Sequence, residues 1–65
     1  MIDVRAIRLS MKLTQEQFAK RFDLTVPQVQ AWEQHRREPA NTGRTLLAVI
    51  AHAPDVVDQA LKLAR

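Results

Sequence analysis

Residues 14–33 read TQEQFAKRFDLTVPQVQAWE and contain two helix-start signals eleven residues apart. Thr14 is followed three residues later by Gln17, and Thr25 is followed in the same way by Gln28. A threonine with a glutamine at the third position beyond it is a capping box, which begins a helix. The stretch therefore predicts two short helices separated by a turn of about three residues, which makes them cross steeply.

Apolar residues then give each predicted helix one inward face. Phe18, Ala19 and Phe22 lie on one stripe of the first helix, and Val29 and Trp32 lie on one stripe of the second. Ala19 is small enough for two steeply crossed helices to approach there, and Trp32 reads as core rather than as a stacking platform. The pattern is that of a helix-turn-helix.

The remaining sequence adds helices on both sides of this motif. The 65 residues contain no cysteine and one glycine and are 46% hydrophobic, which predicts a single all-α domain over residues 1–65 without disulfides. We expect a first helix from Val4 to Met11 or Lys12, capped by Asp3, and then the helix-turn-helix over about 14–34. Asn41 or Thr42 is expected to start a fourth helix, which covers about 43–52. Pro54 is expected to open a fifth helix over about 54–64.

The charge distribution favours a polyanionic partner. The formal net charge is +3 and the pI is about 10.2. Residues 1–44 hold eight Lys/Arg against five Asp/Glu, whereas residues 45–65 hold two of each, so the basic excess belongs to the half with the motif. No apolar run has transmembrane length and no signal-peptide pattern opens the chain, so we expect a cytoplasmic protein without a membrane partner.

The outward face of the second motif helix suits the major groove of DNA. Stepping about 100° per residue from a buried Val29 turns small residues and amides away from the core. Glutamine amides pair with adenine, and small apolar groups contact thymine methyls. The alternative is an ordinary solvated helix face. The predicted base-reading residues are Val26, Pro27, Gln28, Gln30, Ala31 and Gln34.

Contacts to the DNA backbone are expected from residues around this helix. Free N–H groups at the start of a helix and arginine side chains both bind phosphate. The predicted phosphate contacts are Thr14, Gln15, Arg36, Arg37 and Arg44, while Lys12 and the Lys20–Arg21 pair are as readily explained as solvated surface charge.

The motif resembles a known family. The pattern L-T-Q-E-Q-F-A-x-x-F-x-L-T-x-x-x-V-x-x-W-E-x-x-x-R-x-P over residues 13–39 is similar to the lambda-repressor-like (Xre/Cro-CI) helix-turn-helix domain. Trp32-Glu33, Arg37-x-Pro39 and the downstream LLAVIAHAPDVVDQAL most resemble HigA-type antitoxins. The resemblance implies a compact five-helix DNA-binding domain, a partly buried Arg8–Glu33 ion pair and, for an antitoxin, a RelE/HigB-like toxin as partner.

Two positions depart from the family pattern. The family usually has glycine in the turn between the motif helices and after the second one, where this chain has Asp23 and His35. Asp and His are among the few other residues that are enriched in the left-handed conformation, so we expect both residues at positive φ.

Catalytic chemistry finds no support in the sequence. His35 and His52 are far apart, there is no cysteine, and one glycine is too few for a nucleotide-binding loop. Asp55 and Asp58 suit the first turn of a helix better than a metal site. We therefore expect neither an enzyme nor a cofactor or metal.

The fifth helix has two adjacent apolar stripes, more than a small monomer needs. The stripe of Val57, Leu61 and Ala64 is the predicted homodimer interface; the alternative is that the fourth helix covers both stripes and the protein is monomeric. The expected function is a repressor of bacterial or phage origin acting on a palindromic operator, possibly that of its own toxin–antitoxin operon. The alternatives are a toxin-masking interaction module, a phage-type repressor without a toxin, or a piece of a longer antitoxin.

Overall fold

Five α-helices make up most of residues 2–64, the part of the chain that this computed structural model describes. They are α1 (Val4–Ser10), α2 (Gln15–Arg21), α3 (Val26–Glu33), α4 (Asn41–His52) and α5 (Pro54–Ala64). No strand occurs in that range, and the all-α five-helix prediction is confirmed. None of these helices has the length and apolar character needed to cross a membrane.

Side-chain caps start the first three helices as predicted. Asp3 Oδ1 accepts a hydrogen bond of 3.0 Å from the Ala6 N–H. Thr14 Oγ1 accepts from the Gln17 N–H at 3.1 Å while Gln17 Oε1 accepts from the Thr14 N–H at 2.9 Å. The same reciprocal pair starts α3 at Thr25. These bonds satisfy N–H groups that have no partner inside the helix, which is why they fix where it begins.

The start of α4 agrees with the prediction, but its cap is unusual. The helix begins at Asn41, one of the two predicted starts, and its N-cap is Ala40, which makes no side-chain cap hydrogen bond. The Arg44 N–H donates to the Ala40 carbonyl at 2.8 Å and closes the first turn. Sequence patterns locate a helix start from a capping side chain, and alanine has none. The α5 start at Pro54 is as predicted.

Three successive helices end in the same left-handed turn. Lys12, Asp23 and His35 have φ values of 58°, 59° and 58° and follow the C-caps of α1, α2 and α3. One residue later, an N–H donates back to the carbonyl five residues earlier: Leu13 to Arg8 at 3.4 Å, Leu24 to Ala19 at 2.8 Å and Arg36 to Ala31 at 2.9 Å. This is the Schellman motif, with a side chain where glycine is usual. The expectation for Asp23 and His35 is confirmed; Lys12 was not anticipated.

The core is centred on α2. Phe18 is fully buried and meets Phe22 edge to face, with 5.0 Å between ring centroids. Trp32 packs against the core and remains partly exposed. The buried apolar residues are Val4, Phe18, Ala19, Phe22, Val29, Leu47, Ile50 and Val57, so every helix contributes at least one.

The only glycine serves close packing and not a turn. Gly43 lies in the first turn of α4, and a Cβ added to it would be 3.3 Å from Pro39 Cβ and 3.6 Å from Trp32 Cζ2. A side chain at that position would crowd the proline that ends the α3–α4 connection. Glycine here lets α4 approach that connection and the α3 tryptophan.

An ion pair attaches α5 to α2. Arg21 Nη2 donates to Asp58 Oδ2 at 2.9 Å and Arg21 Nε to Asp58 Oδ1 at 3.1 Å. The guanidinium also lies 5.1 Å from the centre of the Phe22 ring. These bonds lower the pKa of Asp58 and raise that of Arg21. Arg21, an open candidate for phosphate contact, is instead committed to this pair.

The packing of α5 corrects the predicted dimer interface. Val57 is 6% exposed in the chain's own core, and Leu61 packs against that core. Both residues were expected on the outside; Val57 is instead buried in the chain's own core, and Leu61 is half-buried. Of the predicted three, Ala64 alone is exposed. The adjacent stripe faces outward, with Val56 51% and Leu63 89% exposed and Ala60 between them.

Candidate nucleic-acid interface

The exposed face of α3 carries no charge. Pro27, Gln30 and Gln34 are exposed, and Ala31 is half-buried between them. Glu33 is the only ionisable residue within Val26–Glu33, and its side chain is 5% exposed because it turns toward α1. What remains outward is small or amide-bearing, so a helix of this kind can approach base edges closely.

Two of the predicted base-reading residues have structural tasks. Val26, expected at the exposed end of the helix, is half-buried and packs against the core. Gln28 is exposed, but its Oε1 accepts from the Thr25 N–H at 3.0 Å. The Gln28 amide nitrogen remains a donor, and its carbonyl oxygen is occupied by the cap. The part of Gln28 in the capping box was predicted from the sequence, whereas the partial burial of Val26 was not.

Arg8 and Glu33 join α1 to α3. Arg8 Nε donates to Glu33 Oε2 at 2.7 Å and Nη2 donates to Oε1 at 2.9 Å, while Nη1 donates to the Leu13 carbonyl at 3.0 Å. The hydrogen bonds from Arg8 lower the pKa of Glu33, although burial opposes this. The pair fixes the orientation of α3 relative to the rest of the domain, because both side chains are nearly buried.

Gln15 lies between this ion pair and the exposed face. Its Nε2 donates to Glu33 Oε1 at 3.3 Å, and its Oε1 accepts from Gln30 Nε2 at 3.4 Å. Gln15 was predicted to contact phosphate, and the structure places its side chain inside the protein's own hydrogen-bond network. Thr14 is exposed with its oxygen used in the cap, so its hydroxyl hydrogen is the group left to donate.

Three exposed arginines follow α3 along the chain. Arg36 and Arg37 lie in the connection to α4, and Arg44 lies in the first turn of α4, where Nη2 donates to Asn41 Oδ1. Lys12 and Lys20 are exposed as well. These exposed cationic residues all lie outside α3, and Arg37 borders the same concavity as Pro27 and Ala31.

Two open concavities border α3. One, of about 650 Å³, lies between α3 and the start of α4 and is lined by Pro27, Ala31, Trp32, Arg37 and Gly43 among others. The second, of about 510 Å³, is lined by Arg8, Thr14, Gln15, Glu16, Val26 and Gln30. Within residues 2–64, no cluster of three or more His, Cys, Asp or Glu side chains is arranged to hold a metal ion.

Two of the contacts that link distant residues were not predicted from the sequence. Arg21 and Asp58 are 37 residues apart, and Gln15 and Gln30 are 15 apart. Neither pair has a local spacing signal, because each forms only once the helices have packed. A basic residue near the end of one helix and an acid on another is too common a combination to select one pair.

Comparisons with known proteins agree with this architecture. The sequence profile of the helix-turn-helix family HTH_3 matches residues 4–42, which is more than half of the chain. The crystal structure of an HTH XRE-family-like protein from Agrobacterium tumefaciens superposes with a TM-score of 0.87 at 38% sequence identity, over 94% of this chain and 98% of that one. No curated protein matched the chain.

Proposed function

This chain belongs to the helix-turn-helix family HTH_3, whose fold is that of DNA-binding transcription regulators, and we propose that it represses transcription by reading an operator with α3. The observation that carries the proposal is the uncharged, amide-bearing exposed face of α3. The outward face of a surface helix commonly carries charged side chains, and this one carries amides and small apolar groups instead. Both are among the groups that read base edges in the major groove, since a glutamine amide pairs with adenine and a small apolar group contacts the thymine methyl.

In the proposed complex, each exposed group has a distinct role. Gln30 and Gln34 donate to and accept from base edges, and Pro27 and Ala31 contact thymine methyls. Gln28 contributes only its amide nitrogen, and Val26 only the part of its side chain that the core leaves exposed. Arg36, Arg37 and Arg44 bind phosphates on either side of the groove, with the Thr14 hydroxyl as a further donor.

The test separates base reading from phosphate binding. Gln34→Ala should lower affinity for the operator by roughly 1–3 kcal/mol and leave affinity for scrambled DNA unchanged. Arg37→Ala should weaken both DNAs alike and reduce the slope of log affinity against log salt by about one unit. Affinities are measured by fluorescence anisotropy from 50 to about 200 mM salt, on an operator selected from the DNA upstream of the gene.

Lys62→Ala is the matched control for Arg37→Ala. Lys62 is an exposed cation on α5, away from α3, and its removal should change neither affinity nor the salt slope appreciably. Equal losses on both DNAs for Gln34→Ala would contradict base reading by α3. An unchanged salt slope for Arg37→Ala would remove that residue from the phosphate contacts.

We further propose that the protein binds a palindromic operator as a homodimer. The supporting surface is the outward stripe of α5, where Val56, Ala60 and Leu63 replace the stripe first expected. An apolar stripe of this kind is usually covered by a partner. A two-fold pair would place two copies of α3 about 34 Å apart, one turn of DNA.

Leu63→Glu tests the dimer without touching the core, since Leu63 is 89% exposed. The variant should keep its helical circular dichroism, halve the mass measured by sedimentation at micromolar concentration, and lose the preference for two half-sites over one. A wild-type protein that is monomeric both free and on operator DNA would contradict the dimer.

The resemblance to HigA-type antitoxins supports a narrower proposal. In that version the operator belongs to a toxin–antitoxin operon and a RelE/HigB-like toxin is the second partner. Co-expression with the product of the neighbouring gene should then give a stable complex and alter the operator mobility shift. Absence of a complex would leave a repressor without a toxin partner.

A further inference from the structure

Glu33, Gln15 and Gln30 form a chain of hydrogen bonds from the interior to the exposed face of α3. It runs from the Arg8–Glu33 pair through the Gln15 amide to the Gln30 amide, with donor–acceptor distances of 3.3 and 3.4 Å in the last two steps. The first member is nearly buried and the last is exposed. The negative charge of Glu33, at the buried end of this chain, determines how the Gln15 and Gln30 amides are oriented.

An ionised carboxylate only accepts hydrogen bonds. Glu33 stays ionised because Arg8 donates two hydrogen bonds to it. The Gln15 amide must therefore turn its nitrogen to Glu33, and this leaves its oxygen facing Gln30. That oxygen in turn accepts only from a donor, so Gln30 must present its nitrogen to Gln15.

We propose that this relay makes Gln15 a positioning residue that fixes the base preference of Gln30. With one N–H held by Gln15 Oε1, the groups that Gln30 has left are its Oε1 acceptor and its second N–H. This role of Gln15 rests on the proposed reading of DNA by α3, and it adds which bases Gln30 accepts.

The remaining groups match adenine and oppose guanine. Adenine presents a donor at N6 and an acceptor at N7, which pair with one oxygen and one N–H. Cytosine presents a donor at N4, which pairs with the oxygen alone. Guanine presents two acceptors, O6 and N7, so an outward Gln30 oxygen faces an acceptor and is repelled. A glutamine free to rotate would turn its nitrogen outward and tolerate guanine.

The variant that tests this is Gln15→Met, which keeps the length of the side chain and removes both hydrogen-bonding groups. Holding one flexible side chain in place changes affinity by about 2- to 10-fold, and since both relay bonds are long we expect about threefold. The adenine-over-guanine preference at the base pair contacted by Gln30 should fall by about that factor. Preferences at other base pairs should not change.

A double-variant cycle assigns the effect to Gln30. In a Gln30→Ala background, Gln15→Met should have no further effect on base preference, because there is no amide left to orient. Gln59→Met is the matched control: it makes the same chemical change on an exposed residue of α5 and should leave every preference unchanged. If Gln15→Met weakens all operators equally, or if its effect persists without Gln30, the relay is wrong.

A measurement on the free protein separates this inference from the function it rests on. The side-chain ¹⁵N–¹H₂ resonances of Gln30 should shift toward those of a solvated glutamine in Gln15→Met and stay in place in Gln59→Met. Unchanged Gln30 resonances in Gln15→Met would overturn the relay. Absence of specific DNA binding by a protein that shows the shift would overturn the proposed function and leave the hydrogen-bond chain intact.

Discussion

Replacing Asp23 by glycine should stabilise the protein, and replacing it by alanine should not. Asp23 is exposed and has a φ of 59°, the left-handed conformation that ends α2. That conformation costs an ordinary L-residue about 1–2 kcal/mol, and glycine avoids the cost. Glycine also gains about 0.4–1 kcal/mol of freedom in the unfolded chain, which opposes the effect.

The two terms leave the glycine variant about 1 kcal/mol more stable than the alanine variant. Both variants remove the same negative charge from the negative end of the α2 dipole, so the charge term cancels in this comparison. For a domain of this size, 1 kcal/mol corresponds to about 4–8 °C in Tm. Chemical denaturation and thermal melting followed by circular dichroism measure both quantities.

Lys20 provides the matched control in the same helix. It is exposed and lies inside α2 with ordinary helical geometry, so there alanine should be more stable than glycine by about 1 kcal/mol. The expected result is an opposite order of glycine and alanine at the two positions. An alanine variant at residue 23 that equals or exceeds the glycine variant would refute the left-handed assignment.

Three further changes test other parts of the structure. His35→Gly should stabilise the fold by up to about 1 kcal/mol in the same denaturation assay, since its φ is 58°. Glu33→Gln should cost about 3 kcal/mol by leaving Arg8 without its charged partner. The pKa of Glu33 is lowered in the folded state, so its charge stabilises the fold fully above its unfolded pKa of about 4.5, and this stabilisation is lost as pH falls through the folded pKa. Glu33→Gln should therefore flatten the fall in stability at acid pH. Leu61→Glu should unfold the domain while Leu63→Glu should not, because only Leu61 packs against the core; equal melting curves would contradict that packing.

Local signals in the sequence predicted local structure well. The capping boxes at Thr14 and Thr25 and the proline at residue 54 located three helix starts because each acts within one turn. Left-handed geometry was predicted at Asp23 and His35, which are residue types enriched there. It was missed at Lys12, since lysine has no such preference.

Features that depend on how helices pack were predicted less well. The two stripes of α5 are equally apolar, so the sequence alone did not indicate which stripe packs against the core. In the folded protein the stripe with Val57 is the buried one, and the neighbouring residue Asp58 forms the ion pair that attaches α5 to Arg21 at the end of α2. For the candidate interface, the exposed positions of Gln30 and Gln34 followed from helical periodicity. The hydrogen bonds of Gln15 to Glu33 and Gln30 did not, because they join residues of two packed helices.

Base reading by α3 is measured by the ratio of the protein's affinities for two DNAs. The wild-type protein is titrated by fluorescence anisotropy at about 150 mM salt, with DNA from upstream of its own gene and with the same DNA scrambled. If α3 reads base sequence, the upstream DNA binds tighter by about 10³-fold or more, the range of specific over non-specific binding. Equal affinities for the two DNAs would contradict base reading, because the arginines alone would then account for all of the binding.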